Sequence, residues 1–259
     1  KKMKKNQHMN NKQNKKATNI LNKFYKNNKN SDKFASFLFY VIIIVIIFVF
    51  IVNYNRSVEL IEAKDGHKYL VRKLPDKQDA ANMLADIRST LSDVVNIIKS
   101  KSITKLYEEY NASNDSKTEL LSLDDFNLSI KRLINNYNPK SCVFSENVPN
   151  SKYTAYSVNK GEELVFCLRL KKEGDTLVPL NTIRFVALHE LTHIMTKTIG
   201  HEPEFWNNFA FILKIAIDDC LYTSIDYGRF NKSKKYCSID ITSTPYHTAE
   251  TPDKCKTKP

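Results

Sequence analysis

Five consecutive residues, His189-Glu190-Leu191-Thr192-His193, set out the chemistry of this chain. In a helix, residues four apart lie on one face, so both imidazoles reach a single ion. An H-E-x-x-H pair of this kind suits zinc, which takes three protein ligands at a catalytic site and leaves one position open. Glu190 would then act as general base, accepting a proton from water and passing it to the leaving amine of a peptide bond. A third ligand is required. Gly200-His201 follows, and glycine can take the left-handed conformation that ends a helix and returns His201 to the ion. Glu202 and Glu204 compete with it, although Glu204 suits the positive start of the next helix better. His8, His67 and His247 have no such partners and are expected in solvent. Phe205 and Trp206 could anchor the ligand turn or line a cleft, with packing favoured, and one of Tyr227, Tyr236 and Tyr246 could stabilise an oxyanion or simply fill the core.

The motif needs a buried helix to hold it. Ile183, Phe185, Val186, Leu188, Leu191, Ile194 and Met195 surround it with apolar residues on nearly every side. Hiding two histidines and a glutamate there without a purpose would be costly. Pro179 and Asn181 open this helix and Gly200 is expected to stop it. Pro203 then starts another, striped by Phe205, Phe209, Ile212, Ala216 and Cys220.

Upstream, Val58–Ala63 and Lys68–Arg72 flank Asp65-Gly66, a hairpin signal. Ala80, Leu84, Ile87, Leu91, Val94 and Ile98 form the apolar face of a helix over about 77–99, after the Pro75-Asp76 breaker and cap. Residues 101–123 are polar and weakly patterned, a linker or short helix. Another helix is expected from Asp124-Asp125 to about Asn136. Tyr153–Val158 and Glu163–Leu170, around Asn159-Lys160-Gly161, read as a second hairpin. Residues 248–259 look like a loose tail.

The formal net charge of the 259 residues is +12, yet residues 1–33 hold eleven lysines against one acid, Asp32. The basicity therefore belongs to a disordered tail, and no specific nucleic-acid surface is expected on the nearly neutral remainder. Phe34 to Val52 is an uncharged apolar run of nineteen residues, expected as a transmembrane helix. Its basic N-terminal flank puts the tail in the cytosol and the 53–247 domain on the lumenal or external face. Sequons at Asn55, Asn111, Asn114, Asn127 and Asn231 are compatible with that side, but chance supplies them in so Asn-rich a chain. The five cysteines include no C-x-x-C pair; Cys167 and Cys220, on apolar runs, read most simply as buried small residues, and no spacing demands a disulfide.

Val186–His193, Gly200-His201 and Glu204-Phe205-Trp206 together resemble the WLM-type branch of zinc metallopeptidases, in particular the WLM-like metallopeptidases encoded by large DNA viruses. Asp65-Gly66 with Tyr69, Val71-Arg72, Leu74–Gln78, Tyr156–Glu162 and Tyr236-Cys237 extend the likeness over roughly 58–247. The resemblance implies an α+β fold, a compact zincin-like core with a small β-sheet and a buried active-site helix, here preceded by one transmembrane helix. It implies Zn2+ on His189, His193 and His201, with Glu190 catalytic and a protein or peptide as substrate. It also places Glu163–Leu170 where such enzymes align an extended substrate. Its setting would be a viral or virus-infected host membrane. Two departures stand out: the eight-residue step from His193 to His201 is long, and the apolar segment with a near-neutral body argues against the nuclear crosslink-cleaving role of cellular members. A non-catalytic, membrane-anchored scaffold retaining the zinc site is the rival reading.

Overall fold

The computed structural model describes residues 18–19, 36–52, 57–114, 119–148, 151–170, 174–229, 232–249, 252 and 255. They fall into two units, 1–56 and 57–259.

In the first unit a helix, α1, covers residues 36–52 and leaves Phe37, Ile42, Ile46 and Phe50 exposed. Among the described residues no helix is long and apolar enough to cross a membrane. The expected transmembrane helix over 34–52 is thereby overturned, and with it the membrane attachment and the cytosolic and lumenal assignments built on it. At ~1.5 Å per residue α1 rises only about 25 Å, against a ~30 Å hydrocarbon core. The expected tail over 1–33 lies outside the described residues except for 18–19.

The second unit begins with the Asp65-Gly66 turn. Gly66 takes φ +76° there, and Asp65 accepts from the Tyr69 hydroxyl at 2.6 Å. The turn joins β1 (Val58–Glu62) to β2 (Lys68–Arg72) in antiparallel register, Leu60 opposite Leu70. In β2 the alternate residues Tyr69 and Val71 point inward and are buried. They pack under α2 (Lys77–Ser100), whose stripe of Ala80, Leu84, Ile87, Leu91, Val94 and Ile98 is buried as its spacing requires.

Residues 101–123 include a helix, α3 (Ile103–Ser113), begun where the Ser102 side chain accepts from Lys105 N–H. Ser122 starts α4 (Leu123–Asn136) in the same way. The chain then enters β3 (Val143–Glu146), a strand whose four residues show no sequence alternation. Next come β4 (Ala155–Val158) and β5 (Glu163–Phe166), the second hairpin. Its turn carries Asn159, Lys160 and Gly161 at positive φ, and a Cβ on Gly161 would lie 2.7 Å from the Asn136 carbonyl oxygen. Only glycine fits that approach.

The sheet order is β1-β2-β3-β5-β4, with β3 parallel to β2 and to β5. Short strands β6 (Arg169–Leu170) and β7 (Thr176–Leu177) pair beyond it. They lead to α5 (Leu180–Met195) and α6 (Pro203–Asp218), which pack against one another. α5 also contacts α2, α4 and β4, and so runs through the centre of the unit. A last hairpin, β8 (Lys234–Tyr236) and β9 (Ile239–Ile241), closes the chain over this end.

Cys167 and Cys220 are not simple buried residues. Cys167 bonds Cys237, 70 residues away, and Cys220 bonds Cys255. Partners so distant in sequence leave no spacing signal.

Candidate active site

The motif helix α5 is buried on almost every side, as its composition requires: Ile183, Leu188, Leu191 and Ile194 are fully covered. It stops at Met195, five residues before Gly200. Thr196 takes extended geometry, and its N–H and hydroxyl both donate to the Thr192 carbonyl at 2.9 Å. Asn208 Nδ2 donates to Thr196 Oγ1 at 3.1 Å, and Lys160 Nζ donates to the Thr196 and Lys197 carbonyls at 2.9 and 3.0 Å. These bonds hold the chain as it leaves the helix, without glycine. Gly200, at φ +108°, instead turns the following loop back on itself. The long step between His193 and His201 is this separately anchored loop.

The turn brings the three histidines together. His189 Nε2 lies 3.2 Å from His193 Nε2 and 3.0 Å from His201 Nε2. One ring nitrogen from each of the three falls within a span of 4.8 Å, close enough to share a metal ion. Tetrahedral ligands at zinc–nitrogen bonds of ~2.0–2.1 Å stand roughly 3.3 Å apart. Only one hydrogen can sit on His189 Nε2, so it cannot donate to both neighbours; a cation between the nitrogens answers all three. Glu202 is exposed at the start of α6. Glu204 Oε1 accepts from Arg132 at 2.7 Å and from Lys197 N–H at 3.1 Å, so it serves the loop and the helix start. His67 faces Asp65 and His247 faces Asp226, both away from the cluster.

Phe205, fully buried, packs its ring 4.8, 4.5 and 4.6 Å from the rings of His189, His193 and His201. This one side chain at the start of α6 orients all three imidazoles. Its neighbour Trp206 stays 38% exposed and lines a cavity instead.

Burial, then the neighbouring His193 and His201, lowers the His189 imidazole to about 3. Burial, then His201 and Lys160, lowers His193 to about 4. Both rings are thus neutral donors over the ordinary pH range. Glu190 is 6% exposed and its carboxyl is pushed up to about 8, by burial. Among the described residues it has neither hydrogen bond nor ion pair. Three neutral nitrogen donors beside a buried carboxyl group that no described residue pairs with are what a divalent cation fits.

Of the three tyrosines, Tyr236 is the one at the site. It lines a cavity with Glu190, its hydroxyl donates to the Thr154 carbonyl at 3.2 Å, and burial and then the charge of Glu190 raise its pKa. Tyr227 packs on Phe185 and Tyr246 lies by Lys214. Only the long-range fold distinguishes them. The strand beside the site also differs from expectation. β5 is paired on both sides, by β3 and β4, so Glu163–Phe166 has no free edge. The edge strand on this side is β4, and its residues border the larger cleft of about 680 Å3, which also carries Glu190 and all three histidines.

A family model for the WLM domain matches residues 64–233, a span that holds the three histidines, Glu190 and Tyr227. An uncharacterized protein of Acanthamoeba polyphaga mimivirus is 33% identical over 173 residues, covering 67% of this chain and 76% of the relative. An uncharacterized protein of Invertebrate iridescent virus 6 is 30% identical over 94 residues, 36% of this chain and 50% of the relative. No solved structure matches. With a family model spanning most of the chain and relatives in two large DNA viruses, this chain belongs to the WLM domain family.

Proposed function

We propose that the chain is a zinc-dependent metallopeptidase acting on protein or peptide substrates. The observation that carries this reading is the convergence of His189, His193 and His201 nitrogens beside a buried Glu190 that no other described residue pairs with. Zinc held by the three imidazoles would supply a Lewis acid for the scissile carbonyl and make water more acidic. Glu190 takes the proton from the attacking water as its oxygen bonds to the carbonyl carbon. It then delivers that proton to the amine as the C–N bond breaks. Among the described residues β4 is an edge strand of the sheet, and it would offer backbone groups to an extended peptide. Tyr236, already held by Thr154, offers a hydroxyl residue on the wall shared with Glu190. The lysines of 1–33 are assigned no sequence-specific nucleic-acid role.

Elemental analysis of the full chain should give one zinc per molecule, none in His193→Ala and less in His201→Ala. Unfolded protein incubated with the parent should be cleaved, and Glu190→Gln should keep zinc while losing cleavage. A Glu190→Gln protein that cleaves at the parental rate overturns the mechanism. A zinc-loaded parent inert toward unfolded proteins and peptide libraries leaves a metal-bearing scaffold.

A further inference from the structure

Two cavities meet at His189 and Glu190, and they differ in kind. The larger reaches His193 and His201; the smaller, about 210 Å3, borders only His189 and Glu190 and lies between α5, α6 and the β8–β9 hairpin. Phe185, Val186, Trp206, Phe209, Tyr236 and Ile241 give it apolar walls. Phe185, Phe209 and Tyr236 are buried in the core, which fixes the cavity's shape. Asp240 stands on its border but is exposed to water.

The geometry points to the smaller cavity as the specificity pocket for the residue on the amine side of the cut bond, selecting a large apolar or aromatic side chain. This rests on the metallopeptidase reading and extends it to a substrate class. Glu190 must reach the departing amine to protonate it, so the residue bearing that amine lies at Glu190. Of the two cavities at Glu190, its side chain then has the smaller to enter, the one that leads away from His193 and His201. An apolar cavity of about 150 Å3 is known to hold benzene, so 210 Å3 accommodates an aromatic ring or a branched aliphatic chain.

The rim supports the same substrate. Four exposed large hydrophobic residues, Tyr153, Ile199, Trp206 and Ile239, border the two cavities, Ile199 at 94% exposure. In the described part of the second unit the others, Leu60, Leu123, Leu128 and Val143, border neither. Exposed apolar groups gathered round a concave site mark a binding surface. The fitting substrate is an extended apolar stretch of polypeptide, such as unfolding exposes.

Trp206 is the only tryptophan and lines the pocket, so its fluorescence reports entry directly. Zinc-loaded full-length Glu190→Gln would be titrated with dipeptides beginning with Phe, Leu, Lys or Asp and ending in Ala. Phe and Leu should bind at least about tenfold tighter than Lys or Asp, with a shift in Trp206 emission. The partly exposed Ile241→Asp, at the hairpin edge, should move the preference toward Lys without unfolding the core. In the parent, a peptide library should be cut before large apolar residues. Equal binding of all four dipeptides, or tightest binding of Lys through Asp240, overturns the pocket assignment. Discrimination in Glu190→Gln with no cleavage by the parent retains the pocket and removes the peptidase reading. Cleavage without preference does the reverse.

Discussion

Two buried polar clusters in the second unit handle charge in opposite ways. At one end of the sheet Arg169, 2% exposed, gives its Nε to Glu146 at 2.7 Å and its Nη1 to Asp76 at 2.7 Å and the Asp175 carbonyl at 3.0 Å. Arg72 adds its backbone N–H to Glu146 at 2.7 Å and its guanidinium to Asp175 at 2.8 Å. Burial raises the Glu146 carboxyl, while Arg72 and Arg169 oppose that rise. Arg169 Nη2 alone among its nitrogens finds no hydrogen-bond partner. At the other cluster Glu190 is also buried and, among the described residues, has no cationic partner. Where the chain answers its own charges, the cluster ties β2, β3 and β6 together. Where no described residue answers the carboxyl, burial instead favours its neutral form.

Removing the centre of the answered cluster should have the largest effect. Arg169→Met leaves Glu146 buried beside one remaining N–H and should cost about 3–5 kcal/mol in urea unfolding. A loss below about 1 kcal/mol would erase the distinction between the clusters. Glu190→Gln should instead lower turnover about 10²–10⁴-fold while the metal-free protein melts no lower than the parent, since neutralising an unpaired buried acid removes a cost. A clear drop in its melting temperature would show that Glu190 has a structural partner. Chelation comes next. At a hundredfold excess of zinc over its dissociation constant, binding stabilises by about 2.7 kcal/mol, so a chelator should lower the melting point of the parent and leave His193→Ala unmoved.

The smallest effect belongs to Asp76→Asn. The Arg169 hydrogen bond and charge hold the Asp76 carboxyl below its ordinary value despite partial burial. Its contribution is therefore present above about pH 4 and disappears as pH falls through the lowered folded value. With the side chain 35% exposed, solvent screening limits it to less than about 1 kcal/mol. Paired melts at pH 7 and pH 3 should show a deficit at the first and a smaller one at the second; a deficit that grows on acidification would reverse the sign.

The parts of this molecule that were legible in the sequence are those governed by local rules. Asp65-Gly66 announces its hairpin, the Ala80-to-Ile98 stripe announces α2, and four-residue spacing sets His189 beside His193. His201 followed from the Gly200 turn, although Thr196 and not Gly200 ends the helix. What stayed hidden depends on distant partners. β3 is four residues paired in parallel with β2 and β5, and β8–β9 is shorter still. Phe205 looks like any core aromatic until three imidazoles surround it. The apolar run at 34–52 misled because hydropathy alone counts residues and not the extent of the helix they form. With the membrane segment set aside, the case against a nuclear role rests on the near-neutral body alone.

The Cys167–Cys237 bond also reaches into the denatured state. It closes a loop spanning 70 residues, and α5, α6 and all three histidines lie inside it. A loop of that length removes about 4 kcal/mol of chain entropy from the unfolded ensemble. While the bond persists, His189, His193 and His201 remain on one closed ring even when no helix survives. The volume they must search to meet again is smaller than for an open chain. Recovery of the three-nitrogen cluster after denaturation should therefore be faster in the oxidised protein than in the reduced one.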